Sequence, residues 1–319
     1  MENNPLGQLS HKLTRGLWAS IQPSRQTQDP PVRAPFMFET VTLGHTNVAT
    51  GQMEHEIEMP RFGLGVWQMS EGGECRKAVL HAIQSGYRLI DTARAYSNEN
   101  ETGEAIRESG IPRDEIFVVT KLRRTHAVSF ESALEHCRSS LDMLGLDSLD
   151  LYLVHAPPED IEARASVWKG MEECLARGWT RAIGVSNYGA HHLDDMRAYA
   201  TILPSVNQVE LHPWNQRPAL RAATEGIGAK VMAYSPLARG HKLDCGSLSQ
   251  ISDSIGCTPA QAAIKWVYDT GSITIPKSSN SVRIDENLAS LSIDLSGTEK
   301  SFARMDEVYV SGWNPTAEP

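Results

Sequence analysis

Eight short apolar runs, separated by helical segments, constrain this chain more than any other feature. The runs are Gly63–Trp67, Arg88–Asp91, Phe117–Lys121, Leu149–His155, Thr180–Ser186, Val206–Leu211, Lys230–Ser235 and Ile273–Pro276. Between them apolar residues recur at three- and four-residue spacing, as in Leu134/Cys137/Leu141/Leu144 and Val167/Met171/Leu175. Gly86, Gly110, Gly145, Gly178 and Gly228 stand where a helix should stop before the next strand. Strands apolar throughout, each followed by a helix, imply a parallel sheet buried on both faces. Eight such units close most naturally into a (β/α)8 TIM barrel, an α/β fold that occupies roughly 250 residues as a single domain. An earlier run, Met37 to Glu58, alternates around Gly44 and Gly51 like an N-terminal β-hairpin and is expected to plug the bottom of the barrel.

Residues 36–319 are therefore assigned to the barrel domain and residues 1–35 to a flexible N-terminal extension. That extension is polar, holds Pro5, Pro23, Pro30, Pro31 and Pro35, and has no sustained apolar period. Its longest apolar stretch, Gly16 to Ile21, is too short and mixed for a secretory signal, and Glu2 and Asp29 count against a mitochondrial transit peptide. Thirty Lys and Arg against 39 Asp and Glu leave a net charge of −9, which repels phosphate backbones and argues against nucleic acid as a partner. No stretch approaches the roughly 20 apolar residues of a membrane helix. The five cysteines are scattered without a C-x-x-C pair, as in a cytoplasmic protein with reduced thiols, and offer neither a disulfide framework nor a zinc site. No metal site is expected, and the absence of an exposed heptad pattern gives no reason to expect more than a monomer.

The rival fold, an open doubly wound sheet, usually carries G-x-G-x-x-G after its first strand. Gly63-Leu-Gly65 and Gly226-Ile-Gly228 both fail to complete it, and Walker A, H-E-x-x-H and G-x-S-x-G patterns are absent too. In a barrel, active-site groups come from the C-terminal ends of strands. Here one strand ends in Asp91 with Tyr96 on the next loop, another in Lys121, and a third in His155. Singly, each has a bland explanation: the aspartate caps a helix, the histidine is hydrogen-bonded filler, the tyrosine packs. Together at one barrel end they make a candidate reacting group.

The chemistry follows from proton affinities. A free tyrosine titrates near pH ~10 and is a poor acid at neutrality. A neighbouring lysine ammonium, oriented by an aspartate, is expected to lower that value and make Tyr96 a proton donor, with His155 polarising a carbonyl oxygen beside it. The set supplies neither nucleophile nor metal, so reduction of a carbonyl needs hydride from a nicotinamide cofactor.

At these residues the sequence resembles the aldo-keto reductase superfamily. Asp91-Thr-Ala-x-x-Tyr96-x-Asn98-Glu99, followed by Lys121 and His155, is similar to that family's catalytic segment, and the likeness runs from about Met37 through Asn287. It implies a catalytic tetrad of Asp91, Tyr96, Lys121 and His155, with the tyrosine as general acid in reduction. Gly184-Val-Ser186-Asn187 and Asn207-Gln208 resemble the family's carboxamide contacts, which carries Ser186, Asn187 and Gln208 over as cofactor-binding. Ala233-Tyr234-Ser235-Pro-Leu237 resembles the strand whose tyrosine stacks on the nicotinamide and whose loop meets the pyrophosphate. Ile275-Pro-Lys277-Ser278, with Arg283, Glu286 and Asn287, resembles the adenosine end. Two cations flanking a serine before a helix start make a cradle for a 2′-phosphate, which favours NADPH/NADP+ over NADH.

Departures from the family pattern fall in the substrate pocket. Ala156 and Pro157 replace the aromatic residue that often follows the tetrad histidine, which would widen the pocket. Trp67 resembles the family's pocket tryptophan, Trp313 and Trp214 are further candidate walls, and the stretch from Leu237 to Gly256 is short. The expectation is a cytoplasmic oxidoreductase that reduces an aldehyde or ketone, a small-molecule carbonyl substrate, to the alcohol with NADPH. Two rivals are an NADPH-binding regulatory barrel with little turnover and a Schiff-base lyase using Lys121.

Overall fold

In the computed structural model, residues 39–70 and 72–317 are described; the extension assigned to residues 1–35 lies outside them. An antiparallel hairpin comes first, β1 (Thr40–Thr46) and β2 (Met53–Pro60). Eight parallel strands follow in spatial order along the chain: β3 (Leu64–Gly65), β4 (Leu89–Asp91), β5 (Phe117–Leu122), β6 (Leu151–Val154), β7 (Ile183–Ser186), β8 (Val206–Glu210), β9 (Lys230–Tyr234) and β10 (Ile273–Ile275). The ring closes between first and last: Gly63 N–H donates to Thr274 O at 3.0 Å, Thr274 N–H to Arg61 O at 2.8 Å and Gly65 N–H to Pro276 O at 3.1 Å. All eight runs read from the sequence form strands of a (β/α)8 barrel, most with shorter ends. Leu149 and Thr180 meet only through an isolated bridge, and Trp67 falls in the turn after β3, where Gln68 has φ 58°.

The helices α1 (Glu74–Gln84), α2 (Glu99–Glu108), α3 (Phe130–Leu144), α4 (Ile161–Ala176), α5 (Ala190–Tyr199) and α6 (Pro218–Gly226) each follow a strand. Helices α7 (Gly246–Ile255) and α8 (Pro259–Asp269) lie between β9 and β10, α9 (Ser281–Ala289) follows β10, and α10 (Glu299–Ala303) precedes the C-terminal segment. Their ends obey local chemistry. Ser129 caps α3 by accepting from Ser132 N–H at 3.2 Å, and Thr258 with Gln261 forms a capping box before Pro259 opens α8. Helix α7 departs from the sequence reading, in which the stretch from Leu237 to Gly256 is a short loop. It is helical because Leu248 and Ile251 share a face that packs on Ala262 and Ala263 of α8, in a core separate from those of the barrel that also holds Trp214.

Side chains alternate between two cores along each strand. Leu89, Val119, Leu153, Val206 and Met232 point into the barrel, whereas Ile90, Val118, Val154, Val209 and Val231 join the layer between strands and helices. Gly184 leaves room in the interior layer, since a Cβ there would stand 2.7 Å from Val206 O and 2.8 Å from Leu153 Cδ2. The hairpin contributes Leu43 and Met59 to the same interior cluster, beside residues that begin their strands, such as Phe117, Leu151 and Ile273. It therefore seals the N-terminal end of the barrel, as the alternation from Met37 to Glu58 implies, and leaves the opposite end open.

His45 ties this seal down. Its Nδ1 donates to Leu203 O at 3.0 Å and its Nε2 accepts Ile183 N–H at 3.3 Å, a partner set that requires the neutral ring. Burial pushes its pKa down to about 4 from an ordinary 6.5, against the raising effect of the Leu203 carbonyl. The unfolded chain thus takes up this proton before the folded one does, so stability from this group is complete above pH 6.5 and is lost as pH falls toward 4, by about 3 kcal/mol. His45→Leu, which removes both bonds, should cost about 1–3 kcal/mol in urea unfolding at pH 7. The gap between variant and wild type should close by pH 4; a gap that does not change with pH would contradict this role.

Candidate active site

Polar side chains enter where the apolar interior ends. Residues two apart on a strand share a face, and the inward residues Leu89, Val119, Leu153, Val206 and Met232 are followed two positions later by Asp91, Lys121, His155, Gln208 and Tyr234. All five therefore converge at the C-terminal mouth, the end the hairpin leaves open. Tyr96 arrives from a single turn, Arg94–Tyr96, after which Ser97 at φ 59° redirects the chain into α2. The next two residues lock that turn. Asn98 accepts from Thr92 Oγ1 at 2.8 Å and donates to Val66 O at 2.9 Å, while buried Glu99 accepts from Thr120 Oγ1 at 2.6 Å.

Lys121 is fully buried, and all three hydrogens of its ammonium group have acceptors. Nζ donates to Asp91 Oδ1 at 2.6 Å, to Thr92 O at 2.8 Å and to Tyr96 Oη at 3.3 Å. The other Asp91 oxygen accepts from Gln208 Nε2 at 2.7 Å. With Tyr96 Oη accepting from the lysine, its own hydrogen remains available to the cleft. The His155 ring stands edge-on to the Tyr96 ring, centroids 5.5 Å apart and planes at 77°.

Burial pushes the Asp91 carboxyl up and the Lys121 ammonium down, and the attraction between the two opposes both shifts. Burial, with Lys121 and Arg123 nearby, lowers His155 to about 3, so its imidazole is neutral at physiological pH. Tyr96 departs from the sequence-based expectation. Burial raises its pKa well above the ordinary 10, and the Asp91 charge adds to the rise. Lys121 does not acidify the resting phenol because its charge is balanced by Asp91 at 2.6 Å. What the mouth presents is a neutral phenol beside a neutral imidazole.

From this mouth a cleft of about 830 Å³ runs toward α9, lined by Asp91, Tyr96, His155, Ser186, Asn187, Gln208, Tyr234, Ser235, Leu237, Lys277, Ser278, Arg283, Glu286 and Asn287. Lys121 stands behind its wall. Asn187, at φ 64°, donates to His155 O at 2.9 Å and to Ser186 Oγ at 3.1 Å and accepts from Tyr234 Oη at 2.9 Å, which fixes that end. At the far end Asn280 caps α9 by accepting Arg283 N–H at 3.1 Å. Asn287 is buried there, and its Nδ2 has no acceptor among the described residues. An unsatisfied buried donor beside two exposed cations is what an elongated anionic ligand with a polar ring system would complete, so the donor set fits a phosphorylated dinucleotide.

The candidate pocket walls divide. Trp67 and Trp313 line the cleft. Ala156 is buried at 1% exposure and does not line it, because it follows inward-facing His155 and so turns to the other face of the strand. Trp214 is also buried, in the core beneath α7, so it is no wall of the cleft. Sequence reasoning missed Arg239, whose guanidinium lies over the Trp67 ring, 4.5 Å from its centroid. The only sequence signal for it is a cation two residues beyond Leu237 in a loop that leaves a strand end.

Comparison with known proteins agrees with this geometry. The model of the aldo/keto reductase family matches residues 61–244 and 241–310. An aldo-keto reductase of Mycolicibacterium vanbaalenii is 43% identical over 252 residues, covering 79% of this chain and 90% of that protein. Glyoxal reductase of Bacillus subtilis is 40% identical over 247 residues, 77% of this chain and 88% of its own length. Among solved structures, a mutant of Gox0644 in complex with NADPH superposes with a TM-score of 0.78 at 31% identity, covering 88% of this chain and 98% of that one. The chain belongs to the aldo/keto reductase family.

Proposed function

We propose that this protein reduces an aldehyde or ketone to the alcohol with NADPH, with Tyr96 as the proton donor. The observation that carries the reading is the complete occupation of Lys121: its three hydrogens go to Asp91, Thr92 O and Tyr96, which leaves the tyrosine hydrogen as the free donor at the mouth. Glyoxal reductase among the relatives and the NADPH complex among similar structures support the reaction class and the cofactor.

Bound NADPH supplies a hydride for the carbonyl carbon. Ser186, Asn187 and Gln208 would hold its carboxamide, Tyr234 the face of its ring, and Ser235 with Leu237 its diphosphate. Lys277, Ser278 and Arg283 would receive the 2′-phosphate, and Glu286 with Asn287 the adenine. Neutral His155 donates a hydrogen bond that orients the substrate oxygen. As negative charge builds there, the oxygen becomes basic enough to take the Tyr96 proton even though burial holds that proton tightly. Lys121 then matters: its ammonium, 3.3 Å from Tyr96 Oη, stabilises the phenolate as it forms. Lys121 and Asp91 are positioning groups behind the phenol.

Tyr96→Phe should abolish NADPH oxidation by aldehydes, by about 10²-fold or more, while NADPH binding measured by fluorescence stays within about twofold. Joint loss of turnover and binding would contradict the assigned role. Lys277→Ala should weaken NADPH by roughly 10-fold or more and NADH little, since only NADPH brings a phosphate to be paired; an equal loss for both would place the lysine elsewhere.

A further inference from the structure

At the Trp67 end of the cleft, Arg239 presents a guanidinium that has no hydrogen bond or ion pair among the described residues, although its Cζ lies over the Trp67 ring. The backbone works to place it. Ala238 and Arg239 adopt consecutive left-handed conformations at φ 46° and 54°, just before Gly240 at φ 84°. Glycine fills such positions with least strain, and here a large side chain is held at one of them.

The C-terminal segment also approaches the guanidinium, at Gly312. A Cβ on Gly312 would stand 2.5 Å from Arg239 Nη2 and 2.8 Å from its Cζ, so a larger residue there would push the guanidinium from its present place. That segment is anchored on both sides of Gly312. Ser311 N–H donates to Glu210 Oε1 at 2.9 Å, and Arg217 donates to Thr316 Oγ1 at 2.7 Å and Asn314 Oδ1 at 3.1 Å. Arg239 thus lines the cleft between an indole and a peptide with its N–H groups unused among the described residues, and a guanidinium so placed can receive a carboxylate in a two-pronged hydrogen bond.

Among the described residues, the other cations are engaged or lie elsewhere, and Arg123, although near His155, does not line this cleft. Lys121 has no hydrogen left to give, Arg217 holds the C-terminal segment, and Lys277 and Arg283 belong to the α9 end. On a chain of net charge −9, an anionic substrate meets repulsion unless a local cation receives it. We propose that Arg239 is a specificity-determining residue that selects carbonyl substrates bearing a carboxylate, gripping that group while the carbonyl lies against Tyr96 and His155. This rests on the reading of the protein as a carbonyl reductase.

The test measures kcat/KM with NADPH for two pairs of aldehydes, succinic semialdehyde against butanal and 4-carboxybenzaldehyde against benzaldehyde, and the Kd of NADPH by fluorescence. Wild type should prefer the charged member of at least one pair. Arg239→Gln should lower kcat/KM for that member by about 10- to 100-fold, leave its neutral counterpart within about threefold and leave the NADPH Kd unchanged. Arg239→Lys should recover part of the loss, because it restores charge without the fork. Gly312→Ala, which crowds the guanidinium without removing its charge, should reproduce a weaker form of the Gln variant. No charge preference in either pair overturns this inference and leaves the reductase reading intact. An equal loss on both members together with a weaker NADPH Kd also overturns it, and assigns the guanidinium to the cofactor diphosphate. No turnover of any of the four aldehydes by wild type overturns this inference, and if a ketone such as cyclohexanone is not reduced either, the reductase reading falls with it.

Discussion

The buried Lys121–Asp91 pair is the interaction on which the rest of the mouth depends. Stripping an ammonium of water costs several kcal/mol, and it is tolerated only where the charge is balanced and every hydrogen has an acceptor. Both conditions hold here, with a carboxylate at 2.6 Å and the Thr92 carbonyl and Tyr96 hydroxyl completing the set. Because the pair is balanced, it does not make the resting phenol acidic. Its effect is conditional: the ammonium acts on Tyr96 only as the proton departs. Burial, which raises the Tyr96 pKa, keeps the proton in place until a strongly basic oxygen forms beside it.

The barrel supplies this pair with its setting through the alternation of strand side chains. Each functional residue at the mouth extends an inward-facing apolar column, so packing of the interior and aim of the site are one constraint. The hairpin closes the other end with Leu43 and Met59, and His45 satisfies the Leu203 carbonyl and the Ile183 amide at that end. Access is thereby confined to the mouth and to the cleft that leads from it to α9.

What the sequence revealed follows from the same geometry. A run such as Phe117-Val-Val-Thr-Lys121 exposes its logic directly: apolar at the interior positions, polar at the last one, with the period set by backbone pleat. The strands, the hairpin and the convergence of Asp91, Tyr96, Lys121 and His155 were legible for that reason. Features fixed by tertiary surroundings were not. The proton affinity of Tyr96 depends on burial and on how completely Asp91 balances Lys121. Helix α7 draws its stability from α8, and Trp214 sits in the core those two helices share. Arg239 stands over Trp67 from a segment in which two successive residues take left-handed conformations, a choice that an Ala-Arg-Gly sequence does not announce.

The protonation of Tyr96 itself, followed directly, tests the balanced pair most sharply. Protein labelled with 13C at the tyrosine ζ carbon, compared with Tyr96→Phe to assign the signal, reports phenol and phenolate by chemical shift across a pH titration. The balanced lysine predicts that the Tyr96 signal stays in the phenol form beyond the ordinary tyrosine value of about 10. A phenolate appearing near neutrality would contradict it, and would show that Lys121 acts on the resting hydroxyl as an unbalanced charge.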